Sequence, residues 1–159
     1  SGRTVAFDTT AVKAAWLETT ITDYEVSGIP ITDITDVGVI GRVQDASNFY
    51  LWRVVTAGTT ELYKNVAGSF TLLATGSLTA ASGDTLKLSC NGTAIKGYVN
   101  GVQSASVTDS SLTTGTKTGI RIRGFIDDFS SVEIGGGAAA VFNAAWCNNT
   151  NILVRCGVC

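Results

Sequence analysis

The sequence predicts an all-β protein made of packed layers of antiparallel strands. Helix signals are scarce, since only Thr10–Leu17 carries helix-favouring alanines, and Trp16 within it could as easily belong to a strand. The rest divides into short segments of alternating apolar and polar residues, bounded by Gly, Asn, Asp and Ser. The connections between these segments are too short for crossover helices, which favours an antiparallel sandwich.

About ten to twelve segments carry the strand pattern. The predicted strands are Arg3–Asp8, Thr20–Ser27, Val37–Val43, Phe49–Val55, Glu61–Val66, Ser69–Thr75, Asp84–Asn91, Ala94–Asn100, Val102–Thr108, Ile120–Phe125 and Phe129–Ile134. Between them, Asn91-Gly92 and Asn100-Gly101 predict type I′ hairpin turns, in which both central residues take positive φ. Pro30 predicts an edge strand or a loop, because proline cannot donate a hydrogen bond to a sheet.

The composition argues against several classes of function. Charged residues make up 15% of the chain and the net charge is −2, with no cluster of Lys and Arg that would bind nucleic acid. No apolar run reaches the roughly 18 residues needed to span a membrane. The chain has no histidine, which excludes Ser-His-Asp and Cys-His catalysis and imidazole metal sites.

The chain is expected to have three parts. Residues 1–134 form the predicted sandwich, and the Gly/Ala-rich residues 135–140 form a predicted linker. Residues 141–159 form a tail that is too apolar for a solvated end, so we expect it to dock on the sandwich or on a neighbouring molecule. The predicted docking residues of this tail are Phe142, Trp146, Ile152, Leu153 and Val154.

The four cysteines leave several roles open. Cys147, Cys156 and Cys159 crowd the tail, whereas Cys90 lies in a predicted strand. All four cysteines are disulfide candidates. Structural disulfides, within the tail or between subunits, are the favoured interpretation, with one tail cysteine left for Cys90, a partner chain or nothing, and buried free thiols are the main alternative. A zinc site would have to recruit the distant Cys90, and a redox site would need a helix after Cys156, so both are disfavoured.

An ordered series of segments carries a family resemblance. These segments are Val37–Arg42, Asn48–Val54, Glu61–Lys64, Gly68–Leu73, Gly83–Leu88, Tyr98–Val102, Thr116–Gly119 and Ile126–Phe129. In this order they resemble the concanavalin A-like lectin/glucanase superfamily, in its laminin-G-like jelly-roll branch, over about Ala6 to Ile134. The resemblance implies an antiparallel jelly-roll sandwich of the kind found in bacterial secreted proteins and bacteriophage virion proteins.

Carbohydrate binding is the first function that this resemblance implies. Sugar sites combine an aromatic platform with planar polar groups. Tyr50 and Trp52 share one face of a predicted strand, and with Arg42 or Arg53 they could line a groove; packing of Trp52 under a loop or under the tail is the favoured alternative. A glycosidase is disfavoured, because no pair of glutamates shares a groove-facing strand.

Calcium is a further ligand that the resemblance suggests. Laminin-G-like and lectin relatives often bind it through loop carboxylates and carbonyls. The loop candidates here are Asp33, Asp36, Asp45 and Asp109, but no spacing motif connects them, so no cofactor is the favoured expectation.

We therefore expect a non-enzymatic structural or decoration protein on the surface of a bacteriophage virion, with possible adhesion to host glycans. Its partners would be other virion proteins or copies of itself, with neither nucleic acid nor membrane among them. The segment Asn143–Asn151 resembles short stretches of phage structural proteins and supports this expectation. The alternative is a carbohydrate-binding module of a secreted or surface bacterial protein.

Overall fold

The computed structural model describes residues 4–6, 13–32, 35–122, 125–134, 139–140 and 153–155. The regular elements in these ranges are strands, apart from a three-residue 3-10 helix, Thr56–Gly58, which follows the fifth strand. The strands are β1 Thr4–Ala6, β2 Lys13–Glu18, β3 Tyr24–Thr32, β4 Val37–Asp45, β5 Asn48–Val54, β6 Thr59–Val66, β7 Ser69–Thr79, β8 Leu86–Asn91, β9 Ala94–Val99, β10 Val102–Thr108, β11 Lys117–Ile122, β12 Phe125–Glu133, β13 Ala139–Ala140 and β14 Leu153–Arg155.

The strands form two antiparallel sheets, which confirms the predicted all-β sandwich. The eight-stranded sheet has the order β10-β9-β8-β3-β12-β1-β14, with β13 paired to β12. The six-stranded sheet has the order β2-β11-β4-β5-β6-β7. The chain switches between sheets at several of its connections, so each sheet is assembled from strands that are distant in sequence.

The main core lies between the two sheets. Side chains that alternate along the inner faces fill it, as the period of two along a strand requires. Trp52 of β5 is the largest of them, and its indole N–H donates to the carbonyl oxygen of Tyr98 at 3.0 Å. The indole ring lies against Gly97 of β9, where a β-carbon would come within 2.5 Å of it. At this point in the core, the two sheets meet through an aromatic side chain that needs a glycine opposite it.

Two local predictions need correction. Pro30 lies in β3, a central strand of its sheet, and not in an edge strand or a loop. Strand β8 pairs with β3 only as far as Gly28, so no hydrogen bond to β8 is lost because proline lacks an N–H group. The hairpin after β8 has its two-residue loop at Gly92-Thr93, because Asn91 pairs with Ala94. Gly92 alone takes positive φ there, so the type I′ turn predicted at Asn91-Gly92 is wrong.

Other predictions of local structure are confirmed. Asn100 and Gly101 have φ values of 49° and 79° between paired Val99 and Val102, as a type I′ turn requires. Trp16 lies in a strand, β2, and not in a helix.

No helix in the described ranges is long and apolar enough to cross a membrane.

Two short segments after residue 135 pair with the eight-stranded sheet. Ala139–Ala140 of the predicted linker pairs with β12, and Leu153–Arg155 pairs with β1. Docking through the side chains of Leu153 and Val154 stays a prediction, and so does the three-part division of the chain. The other predicted docking residues, Phe142, Trp146 and Ile152, lie outside the described residues.

Candidate functional site

The structure places the four predicted glycan-binding residues on both faces of the six-stranded sheet. Tyr50 and Trp52 face the main core and have no exposed surface. Arg42 also points inward and is 1% exposed. A surface groove lined by Arg42, Tyr50 and Trp52 is therefore wrong, because the face of β5 that carries the two aromatic rings packs against the opposite sheet. Arg53 alone lies on the outer face of the sheet.

Arg42 is buried because the backbone of β4 is irregular at this point. The pairing of β4 with β5 shifts register between Gly41 and Asp45, and Arg42 takes a positive φ of 48°. The guanidinium then donates to the carbonyl oxygens of Thr22 at 3.0 Å and Leu112 at 3.3 Å, and to Asp23 Oδ1 at 2.6 Å. Arg42 thus connects β4 to the segments that hold Thr22, Asp23 and Leu112.

The outer face of the six-stranded sheet carries a second apolar cluster. Ile40, Val43, Phe49 and Leu51 are buried there, although they alternate with the residues that face the main core. Further apolar side chains surround these four. Trp16 and Tyr63 pack against the cluster, and Phe70 and Leu72 lie beside it on the edge strand β7.

This outer face is concave. Three strands separate β11 from β7, so in a flat sheet the two strands would lie about 19 Å apart. The guanidinium of Arg121 on β11 nevertheless lies 5.2 Å from the ring centroid of Phe70 on β7. The side chains could not meet across a flat sheet, so the sheet must curve toward its outer face.

Four charged side chains lie together on the concave face, and we call them the charged quartet: Asp36, Arg53, Glu61 and Arg121. Asp36 Oδ1 accepts from Arg53 Nη1 at 2.7 Å and from Arg121 Nη1 at 2.9 Å. Glu61 Oε2 accepts from Arg53 Nε at 3.1 Å and Nη2 at 2.9 Å. Each of the four side chains is 18–21% exposed, so the quartet is reachable from solvent. The hydrogen bonds among them hold the quartet in a fixed geometry.

Sheet register explains why the quartet forms. Arg53 pairs with Glu61 on one side and with Gly38 on the other, and Arg121 pairs with Gly38 as well. Gly38 has no side chain, so the two arginines can converge above it on Asp36. Burial opposes the charge of Arg53, but hydrogen bonds to Asp36 and Glu61 outweigh it and raise the Arg53 pKa.

Aromatic rings lie beside the quartet. The Arg53 guanidinium stacks over Tyr63 at 4.5 Å from the ring centroid. Phe70 makes edge contacts with Phe49 and Tyr63, at centroid distances of 5.8 Å and 6.3 Å. Phe70 remains 46% exposed, so part of its ring is available to a ligand.

The outer face of the eight-stranded sheet is different in character. Its described side chains are largely polar, and they include Glu25, Lys87 and Lys96. Lys87 pairs with Glu25 at 3.0 Å and lies 4.5 Å from the ring centroid of Tyr98. The described part of this face carries no buried apolar cluster, so its residues serve as controls for those of the concave face.

The described residues offer no metal centre. They contain no group of three or more His, Cys, Asp or Glu side chains placed to hold an ion. Of the predicted calcium candidates, Asp36 belongs to the charged quartet, Asp45 accepts from Ser47 and Asn48 within its own turn, and Asp109 is bound by Lys64. Asp33 lies outside the described residues.

Cys90 is a buried free thiol in the main core, so the structure contains no disulfide at this residue. Burial raises the pKa of this thiol to about 12, which keeps it protonated and unreactive. Cys147, Cys156 and Cys159 lie outside the described residues, and disulfides among them stay a prediction.

Sequence reasoning missed most of the concave face. It identified Arg53 but not Glu61, Tyr63, Phe70 or Arg121. One signal was present: with a turn at Ala57-Gly58-Thr59, the hairpin register places Arg53 opposite Glu61, an opposite-charge pair on the same face. Nothing local to the sequence indicated that Arg121 and Phe70 would meet.

The two antiparallel sheets form a jelly-roll β-sandwich, and similar solved structures share this concanavalin A-like fold, in agreement with the sequence resemblance. No protein-family model matches the sequence. No curated protein matches it either. Solved structures do match, and they carry the comparison.

Three solved structures illustrate the similarity. The carbohydrate-binding module CBM66 from Bacillus subtilis aligns with a TM-score of 0.60 and 20% identity, over 73% of this chain and 78% of the module. The galectin LEC-6 of Caenorhabditis elegans aligns at 0.55 and 12% identity, over 79% of this chain and 92% of the galectin. A β-glucanase of Bacillus licheniformis aligns at 0.54 and 11% identity, over 82% and 78%. At these identities the similarity establishes the fold alone.

Proposed function

We propose that this chain binds carbohydrate on the concave face of its six-stranded sheet and does not cleave it. The observation that carries the proposal is the meeting of the charged quartet and the partly exposed ring of Phe70 on one concave surface. Sugar rings have apolar faces and hydroxylated edges, and they are held by an aromatic surface beside fixed polar groups. The names of two similar structures, a carbohydrate-binding module and a galectin, are in line with this proposal.

The hydrogen bonds of the carboxylates support binding without cleavage. Glycoside hydrolysis requires one carboxyl to donate a proton and a second to act as base or nucleophile. On the concave face, Asp36 and Glu61 both accept hydrogen bonds from the Arg53 guanidinium. We propose that they serve to orient the arginines. Elsewhere, Asp23 is paired with Arg42 and Glu25 with Lys87, on different parts of the molecule.

The test is a glycan array followed by calorimetry on the glycans bound. Phe70→Ala should weaken binding by roughly tenfold, which corresponds to about 1.4 kcal/mol, because it removes the exposed ring beside the quartet. The matched control is Tyr98→Ala, which removes an aromatic ring with a stacked cation from the other sheet. Thermal unfolding of both variants shows whether the fold is retained.

Two results would contradict the proposal: no binding of the unaltered chain to any glycan, or equal loss of affinity in Phe70→Ala and Tyr98→Ala. Location on a bacteriophage virion and assembly with virion proteins stay predictions of the sequence, since no described residue tests them.

A further inference from the structure

We propose, building on the function proposed above, that the concave face selects neutral saccharides and discriminates against sugars that carry a carboxylate, such as uronic acids. The selection arises from the charged quartet, whose two guanidinium groups are already neutralised by two carboxylates of the protein. A surface with two arginines would otherwise be expected to attract an anionic ligand.

The charge balance of the quartet is complete. Arg53 is paired with both Asp36 and Glu61, and Arg121 is paired with Asp36. The shortest N···O distance in each ion pair is 2.9 Å or less. The next ion pair on this face, Lys117 with Glu18 at 3.3 Å, is also neutral as a pair. An anionic sugar would have to displace one of these carboxylates or lie beside it, and both are unfavourable in a concave, partly buried site.

The hydrogen-bonding groups that remain in the quartet suit hydroxyls. Within the described residues, Asp36 Oδ2 and Glu61 Oε1 accept no hydrogen bond, and both guanidinium groups keep N–H donors that bind no protein acceptor. A hydroxyl both donates and accepts, so adjacent hydroxyls on a sugar ring can donate to a carboxylate oxygen and accept from a guanidinium. A carboxylate can only accept, so a carboxylate that takes the place of a hydroxyl beside Asp36 Oδ2 or Glu61 Oε1 leaves that oxygen without a donor.

The experiment uses pairs of oligosaccharides of the same linkage and equal length that differ only in the carboxylate: glucan with polyglucuronan, and mannan with polymannuronan fragments. We expect the full chain to bind the neutral member of a pair at least tenfold more tightly at moderate ionic strength. Preference for the acidic member, or no preference, in the pairs that bind would overturn this inference and leave the proposed function standing. Binding of no glycan at all, either on the array or among these pairs, would overturn both.

Variants test whether the quartet is the cause. Glu61→Gln keeps an acceptor for Arg53 but leaves a net positive charge, so the neutral-to-acidic affinity ratio should fall about threefold to tenfold. Asp36→Asn makes the same charge change at the other carboxylate, so the prediction can still be tested if Glu61→Gln does not fold. The control Glu25→Gln changes the net charge equally on the eight-stranded sheet. An equal change of the ratio in Glu61→Gln and Glu25→Gln would show a general charge effect and overturn the assignment.

Discussion

At the scale of single residues, the two arginines near β5 have opposite roles. Arg42 and Arg53 both follow apolar segments in the sequence, but Arg42 is 1% exposed whereas Arg53 opens onto the concave face. The backbone hydrogen bond from Arg42 N–H to the Tyr24 hydroxyl, and the positive φ of Arg42, turn its side chain inward. There it donates to the carbonyl oxygens of Thr22 and Leu112, and the bond to Leu112 is buried, so that its loss would leave a buried acceptor without this donor.

Replacing Arg42 should destabilise the protein without touching the concave face. Arg42→Leu leaves the carbonyl oxygens of Thr22 and Leu112 without their donors, and we expect a loss of about 3 kcal/mol in the free energy of unfolding. Urea unfolding monitored by tryptophan fluorescence measures this. The control Lys117→Gln breaks an ion pair whose partner, Glu18, is 79% exposed, and should cost less than about 1 kcal/mol. Equal losses in both variants would contradict this role of Arg42.

At the scale of elements, β5 supports two cores at once. Its inner face gives Tyr50, Trp52 and Val54 to the core between the sheets, and its outer face gives Phe49 and Leu51 to the second cluster. The inner face is the more tightly constrained of the two. Trp52 reaches across the sandwich to β9, where Gly97 leaves room for the indole.

Gly97→Ala should therefore be costly. The added methyl group would overlap the Trp52 indole, since its β-carbon would lie 2.5 Å from ring atoms, and we expect a loss of about 2 to 3 kcal/mol in the free energy of unfolding. Chemical denaturation of the purified variant gives the value. Lys96→Ala, at the preceding residue on the opposite face of β9, should change stability by less than about 0.5 kcal/mol. The packing argument fails if Gly97→Ala is as mild as that control.

At the scale of the whole molecule, the loop between β10 and β11 joins one sheet to the other. Asp109 at its start accepts from Tyr50 of β5 at 2.6 Å and from Lys64 of β6 at 2.7 Å, and it also accepts from the Ser111 N–H. Burial would raise the pKa of Asp109, but these hydrogen bonds outweigh burial and hold it well below its usual range. The loop is thus fastened to the six-stranded sheet through an ionised carboxylate.

The stability of the molecule should depend on pH through this carboxylate. Because the pKa of Asp109 is lower in the folded state than the value of about 3.9 in the unfolded chain, its contribution is complete above about pH 5 and is lost as the pH falls further. The difference in unfolding free energy between the unaltered chain and Asp109→Asn should shrink from pH 6 to pH 3, measured by urea unfolding. Glu18→Gln, at an exposed carboxylate, serves as the control. A difference that does not change with pH would contradict the assignment.

Much of the fold could be predicted from the sequence because strand signals are local. The alternation of apolar residues, the Asn100-Gly101 turn and the β4–β5 hairpin are set by neighbouring residues, and the structure confirms them. The site could not be predicted in the same way. Both faces of β5 are bulky, so alternation alone could not show whether Tyr50 and Trp52 or Phe49 and Arg53 face outward.

By itself, the sequence determined the all-β class, the succession of short antiparallel strands and the resemblance to the concanavalin A-like sandwich. It also determined the low content of charged residues, since composition does not depend on the fold. Only the tertiary structure decided that Trp52 is core and that Arg53, Arg121 and Phe70 share one concave face. The physical reason is that residues from β5, β7 and β11 meet through sheet order and curvature, which are set by non-local packing.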